Sequence, residues 1–503
     1  MFIINKTVKR LSQLLMAIGF ISIIIAFYLS HINQYSDKEI NSAVIEIEEK
    51  NEEQHKNNDI LRTKELKSCD TINNFGVKEK VIQEINNRYD SIYRIIINQS
   101  IIELEKKFHF HLTEHEIDQC TSYKKIEEKI THYFHSKANR PWSSLLFNNY
   151  FFLGISVFAV FFIALQYVSE AAWSIVLKRI PEAVISFLPV TGFIMLIIMV
   201  SGAMHFGGNH IYHWMADGIM DPESKHYDKI IAGKEAFLNT TFFLARSVIY
   251  ILGWIYFGRK LKQLSLLEDQ HGGLSYYNKG IKTSAWFMVF FTVTSAIASW
   301  DWIMSIDTHW FSTLFGWYVF SEWAAIGFAT ILLITLYLKR LGYLENVNDS
   351  HIHDLGKWVF AFSLVWTYMW FSQFMLIWYS NIPEEVTYFT ARLEVENYRF
   401  LFWFSMIINF VVPVLLLMSR DAKRHNGRLI FVCIVILIGH WINSYLLVAP
   451  GTLGDHGHIG PTEIGMGLGY FGLFMYVVFN ALTKVPLEVK NHPFLEESKH
   501  LHT

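Results

Sequence analysis

The sequence predicts an all-α polytopic membrane protein with about ten transmembrane helices, and three observations carry that expectation. The 503 residues are 52% hydrophobic and only 17% charged, where soluble domains carry about 25% charge. Ten apolar runs reach the length of about 20 residues that a membrane crossing needs. They are 11–30, 147–168, 183–204, 237–257, 283–303, 314–338, 358–379, 400–418, 428–448 and 464–483. Basic residues also fill every second connection: Lys6, Lys9 and Arg10; Lys178 and Arg179; Arg259, Lys260, Lys262, Lys279 and Lys282; Lys339, Arg340 and Lys357; Arg420, Lys423, Arg424 and Arg428; Lys484 and Lys490. By the positive-inside rule, this alternation expects both termini in the cytoplasm of a bacterial inner membrane.

The chain divides in order into an N-terminal transmembrane helix (1–30), an outer-face periplasmic helical insert (31–140), a nine-helix transmembrane domain (141–484) and a cytoplasmic tail (485–503). The first apolar run is long and no small-x-small cleavage site follows it, so it reads as an anchor and not a cleaved signal. Within the insert, Ile82, Ile85, Tyr89, Ile92 and Ile96 repeat at helical spacing. Thr113 and Glu116 form a capping-box pattern that opens a second helix through Ile117, Ile126 and Ile130. The two are expected to form a hairpin. Cys69 and Cys120 flank the first of them, and the oxidising side of the membrane permits a disulfide there.

The composition also excludes some chemistry. A net charge of −2 gives no support to a nucleic-acid partner. The three cysteines form no CxxC or CxxCH, which argues against covalent haem and iron–sulfur clusters in this chain.

The chemistry concentrates in residues 295–323, where Asp301, Asp307 and His309 interrupt apolar runs among Trp300, Trp302, Trp310 and Trp317. Titratable groups at a membrane face mark a proton, ion or substrate path, or they cap helix ends in the headgroup region. Arg246 inside the fourth run needs a carboxylate, with Asp301, Asp307 and Glu322 as candidates. Glu322 lies within the sixth run, and His440 and Asn443 lie one turn apart toward the outer end of the ninth. His205, His210 and His213 follow the third run, and two of them are spaced for one helix face. They are too few for a structural zinc site, so interfacial hydrogen bonding is the simpler reading. Bis-imidazole haem needs paired histidines at matching depth, and only His440 is well inside a span. Pro383 ends the seventh run and leaves Glu384 and Glu385 at the surface.

Four stretches carry a resemblance. They are SWDWIMSIDTHWFSTLFGWY (Ser299–Tyr318), DKIIAGK (Asp228–Lys234), WTYMWFSQFMLIWYSNIPEE (Trp366–Glu385) and PGT (Pro450–Thr452). Together they resemble the ActF-type subunit, quinone-binding subunit 2, of alternative complex III, a bacterial quinol:cytochrome c oxidoreductase. The likeness covers roughly 141–484 and the first span. It implies an NrfD/PsrC-like pair of four-helix bundles plus two further helices. It also implies menaquinol or ubiquinol as substrate, no metal and no covalently bound cofactor in this chain, and haem c and iron–sulfur clusters in partner subunits, beside a homologous NrfD-like chain. The expected quinol or proton path comprises Asp307, His309, Asp301, Arg246, Glu322, His205 and His440. This chain departs from the family at Asn443, where an acid is usual. The alternatives are an NrfD-type anchor of another quinone-linked enzyme and a secondary transporter, whose charges usually lie mid-membrane between internal repeats.

Overall fold

The described residues of this computed structural model, 2–32, 34–71, 75–224 and 227–502, contain helices and connecting turns but no strand. Ten of the helical segments are long and apolar enough to cross a membrane, which makes this a polytopic helical membrane protein. The long helices are α1 (Lys6–His31), α2 (Asp37–Ser68), α3 (Phe75–Phe108), α4 (Glu114–Gln119, short) and α5 (Tyr123–Val168). They continue with α6 (Leu188–Ala203), α7 (Thr240–His271), α8 (Leu274–Trp302), α9 (Phe315–Arg340), α10 (Asp349–Ser380) and α11 (Pro383–Leu393). The last three are α12 (Glu396–Leu417), α13 (Asn426–Leu453) and α14 (Pro461–Thr483). The chain forms two compact units, Tyr28–Ala138 and a larger one made of Met1–Phe27 with Asn139–Thr503.

In the larger unit α9 is central. Of its most apolar window 89% is buried, against 33% for α10, so the polar residues of α9 face protein and not lipid. Its threonines satisfy themselves locally, with Thr330 Oγ1 and Thr335 Oγ1 donating to the carbonyls of Ile326 and Ile331, both at 2.7 Å. α1 packs on α14 through small residues. A Cβ on Gly469 would lie 2.4 Å from Gly19 Cα, and one on Gly465 would lie 1.9 Å from Ser22 Oγ. Such backbone approach replaces the hydrophobic drive that lipid does not supply. α12 contains a π-helical turn at Ile407–Val411 just before Pro413, whose missing N–H disturbs the regular ladder. The turn presents buried Asn409 to Gly439 of α13, where a Cβ would meet Asn409 Oδ1 at 2.1 Å.

The smaller unit is a hairpin of α2 and α3, with α4 and the start of α5 packed on it. Ion pairs Lys107–Glu46 (2.8 Å), Lys50–Glu103 (2.9 Å) and Arg62–Asp90 (3.2 Å) join the arms in antiparallel register. The expected stripe is present on α3, where Ile85, Tyr89 and Ile96 are buried. Its partner arm differs from the expectation. α2 supplies it, while the segment through Ile117, Ile126 and Ile130 divides into α4 and the start of α5. The sequence hid α2 because only Ile40, Ala43, Val44 and Ile47 are buried along it, and the rest is polar and held by charge pairs. The capping box is formed, with Glu116 N donating to Thr113 Oγ1 (3.3 Å) and Thr113 N donating to Glu116 Oε2 (2.9 Å).

The disulfide is a second correction, since Cys69 and Cys120 are both free and buried. Cys69 packs with Ile85 and Tyr89, whereas Cys120 belongs to the cluster of Ile97, Ile101 and Leu104. Those α3 positions are about a dozen residues apart, or about 18 Å along a helix, far beyond the Cα separation a disulfide tolerates. Burial also pushes the Cys120 thiol up to about 11, with Glu116 adding to the rise, so little reactive thiolate forms.

Two outcomes follow from this packing. Alkylation of the denatured, unreduced protein followed by mass measurement will find both Cys69 and Cys120 modified, with no mobility change on reduction. Gly469→Leu will force α1 from α14 and lower thermal stability in detergent by several degrees, whereas Gly233→Ala, whose Cβ would meet nothing nearer than 3.4 Å, will cost far less.

Candidate functional site

The loops at one end of the larger unit, 204–224 with 227–239, 303–314 and 381–395, are joined by polar networks. The last turn of α8 carries Asp301, which is fully buried. Arg246 of α7 holds it through Nε (3.0 Å) and Nη2 (2.6 Å), and Tyr250 OH donates a further bond at 3.2 Å. The guanidinium also donates to the Phe237 carbonyl (3.0 Å) and lies 4.1 Å from the ring centres of Phe237 and Phe242. Trp302 Nε1 donates to Ser247 Oγ at 2.9 Å, fixing the same two helices one residue further on. Asp301 is therefore committed to a bidentate pair, the geometry suited to a buried arginine.

A second network ties the loop after α8 to the 228–234 turn. Asp228 caps that turn by accepting from Ile230 N and Ile231 N, and its Oδ2 lies 2.7 Å from His309 Nε2. Burial alone raises the Asp228 pKa, but His309 and the two amides outweigh it and hold the carboxyl below its usual range. Lys234 donates to the Thr308 carbonyl, and burial lowers its pKa. His309 is half exposed, so it stands at the rim.

The third network leads inward. Asp307 Oδ2 accepts from Arg392 Nη2 at 3.2 Å, and Arg392, only 2% exposed, also donates to the carbonyls of Leu446 (3.0 Å) and Tyr388 (2.6 Å). Its guanidinium lies 3.5 Å from the centre of the Tyr388 ring, which stacks on Trp310 with centroids 3.9 Å apart. Burial pushes the Tyr388 hydroxyl up to about 12, against the opposing pull of Arg392, so it stays a neutral donor. Gly451 permits the approach of Asp307, because a Cβ there would meet its Oδ1 at 2.8 Å.

Beside Arg392 lies a small, partly open cleft, lined by Tyr318, Trp370, Gln373, Tyr388, Phe402 and Asn443, among others. At its inner side Tyr318 OH donates to Asn443 Oδ1 (2.6 Å), Asn443 Nδ2 donates to Glu322 Oε2 (3.0 Å), and Ser444 Oγ donates to Glu322 Oε1 (2.9 Å). Gln373 Nε2, on the cleft wall, has no partner among the described residues. The cleft thus joins an aromatic slot to hydrogen-bond donors and, through the Asn443 amide, to a buried carboxyl group behind its wall.

The seven expected site residues do not gather at one point. Asp301 and Arg246 pair with each other, Asp307 pairs with Arg392, His309 with Asp228, and Glu322 with Asn443 and Ser444. His205 stacks on His210 with ring centres 4.9 Å apart. His210 and His213 lie in irregular turns and share no helix face. His440 is deeper than its span suggested, because α13 continues to Leu453 and leaves it near mid-helix. There it meets Trp366 edge-on at 5.0 Å, and neither ring nitrogen has a partner among the described residues.

Sequence reasoning missed Arg392, Tyr388, Gln373 and the pair Arg140–Glu463, at 2.9 Å. Glu463 is fully buried and also accepts from Ser144 Oγ (3.1 Å) and Gly460 N (2.8 Å). The signal for Arg392 was its position one turn after Tyr388 in a short amphipathic helix, α11. No protein-family model matches the chain, and no curated protein matches it.

Removing one member of a buried ion pair costs about 3–5 kcal/mol, whereas removing both costs far less. Asp301→Leu and Arg246→Met will therefore each destabilise the protein on that scale in thermal unfolding in detergent, and the double variant will recover most of the loss. Equal damage in the double variant would show that the pair is not the source.

Proposed function

We propose that this chain is an integral membrane subunit of a respiratory quinol:cytochrome c oxidoreductase of the alternative complex III type. In this reading the end carrying Asp307 faces the periplasm, the quinol binds or its protons leave there, and electrons pass to iron–sulfur and c-type haem centres in partner subunits. Oxidation of one quinol delivers two electrons to those partners and two protons outward. A site for it needs an apolar slot, hydrogen-bond partners for the ring oxygens, and a route for the protons.

The single observation that carries the reading is the cleft lined by Arg392 and Asn443, with Glu322 hydrogen-bonded behind Asn443. Its aromatic lining, the donors of Gln373 and Tyr388, and the Tyr318–Asn443–Glu322 chain supply those three requirements within one volume. Asn443 cannot itself take up a proton. Its amide instead orients Glu322 and holds the Tyr318 hydroxyl. Asp307 is 24% exposed and sits beside Arg392, so it is the group through which the cleft meets water. The arrangement favours this reading over a transporter, because the paired charges lie toward the helix ends, and Glu322, behind the cleft wall, is held by an amide and a hydroxyl with no cation beside it among the described residues.

The test is quinol:cytochrome c turnover in the assembled complex. Asp307→Asn and Glu322→Gln will each lower it by about a hundredfold, the scale of a lost proton-transfer group, with haem content and subunit composition unchanged. Wild-type turnover in both variants would leave the chain as an anchor. Solute uptake by vesicles containing this chain alone would support the transporter instead.

A further inference from the structure

The opposite end of the larger unit holds a second buried polar cluster that the proposed function does not use. Lys178 Nζ donates to Tyr167 OH (2.7 Å) and to Glu268 Oε2 (3.3 Å), and Tyr167 OH donates to Glu268 Oε2 (3.1 Å). Beside it Arg179 joins Glu182 (2.5 Å), Ser265 Oγ (3.1 Å) and Asp269. A small cleft adjoins the cluster, lined by Gln166, Tyr167, Ser174, Lys178, Tyr277 and His492 among others. Three buried polar atoms there have no hydrogen-bond partner among the described residues: Gln166 Oε1, Tyr277 OH and Glu268 Oε1. A space with room for a water molecule beside orphaned donors and acceptors holds water.

The cover of this cleft is the C-terminal tail. His492 closes one wall, with its ring centre 5.2 Å from that of Tyr277 and its Nε2 3.8 Å from Glu268 Oε1. Around it the tail is tied to the last turn of α7, the turn at Trp173 and the start of α10. Lys490 N and Asn491 Nδ2 donate to Asp269 Oδ1 (3.1 Å) and to its carbonyl (2.8 Å). Ser498 Oγ donates to the Trp173 carbonyl (3.2 Å), and the Ser498 carbonyl lies 3.0 Å from His351 Nε2. Asn348 Nδ2 donates to the Leu501 carbonyl (2.8 Å). Two of these ties run from tail side chains to backbone carbonyls, and the other three join tail backbone groups to side chains. The tail has little regular structure of its own beyond the one-turn helix Leu495–Lys499.

We propose that the tail is a releasable strap that controls the access of bulk water to a hydrated ion-pair cleft at this end of the protein. Burial, and then Lys178, push the His492 pKa down to about 3, so the ring is neutral when docked and no charge repels Lys178. Undocking exposes the Lys178–Glu268–Tyr167 cluster without breaking any membrane helix. This inference stands independently of the quinol reading.

The test uses the full chain carrying Ser174→Cys, with Cys69, Cys120 and Cys433 replaced by Ala, in detergent. Ser174 is 2% exposed and lines the cleft. The reagent is a small charged methanethiosulfonate, which reaches the thiol only through water. Labelling will be slow in the tied protein, and at least tenfold faster in an Asn348→Ala/Asn491→Ala background and in a chain ending at Thr483. If truncation prevents folding, judged by gel filtration, the double alanine variant decides. Equal rates with and without the ties, or fast labelling in the intact chain, would overturn the proposal.

Discussion

A charge placed within membrane-spanning helices must find its partner inside the protein, and that constraint organises this structure. Water is absent from the hydrocarbon region, and an unpaired ion there is costly. Arg246 therefore takes Asp301 in a two-toothed grip, Arg392 takes Asp307 and two carbonyls, and Arg140 takes Glu463. At the other end Arg179 takes Glu182 and Asp269, and Lys178 takes Glu268. Each pair joins segments distant in sequence except Arg179–Glu182, so the pairs also act as constraints on which helices are neighbours.

Glu322 is the exception, because no cation answers it among the described residues. It is received by an amide and a hydroxyl from α13, on the most buried helix of the unit. An uncharged partner set around a carboxyl group leaves its proton occupancy free to change without breaking a salt bridge. That property separates Glu322 from Asp301, whose pairing with Arg246 makes it a structural element. The same contrast separates Asp307, partly exposed beside Arg392, from the fully enclosed Glu463.

Much of this arrangement was readable in the chain. The apolar runs match the ten candidate spans, because hydropathy integrated over about 20 residues is a strong signal. Arg246 and the acids were legible because charge inside an apolar run stands out. The helix α2 was not, since its polar face and sparse apolar residues resemble a linker until α3 lies against it. Arg392 was hidden for a related reason: an arginine in a polar, amphipathic loop helix looks solvated, and only the fold turns it inward. The cysteines misled because their positions flanking one helix said nothing of the distance between the clusters they join.

The sequence by itself determined how many helices cross the membrane and which side chains within them are too polar to face lipid, because both depend on local composition. The tertiary structure decided which of those side chains meet. It separated Asp301, Asp307, His309 and Glu322 into different networks, although they fall within one short stretch, because each is answered by a different helix or loop. Partner choice is set by helix packing, down to Gly19 and Gly469, which let backbones approach, and Gly439, which admits the Asn409 side chain, and no local feature of the chain encodes it.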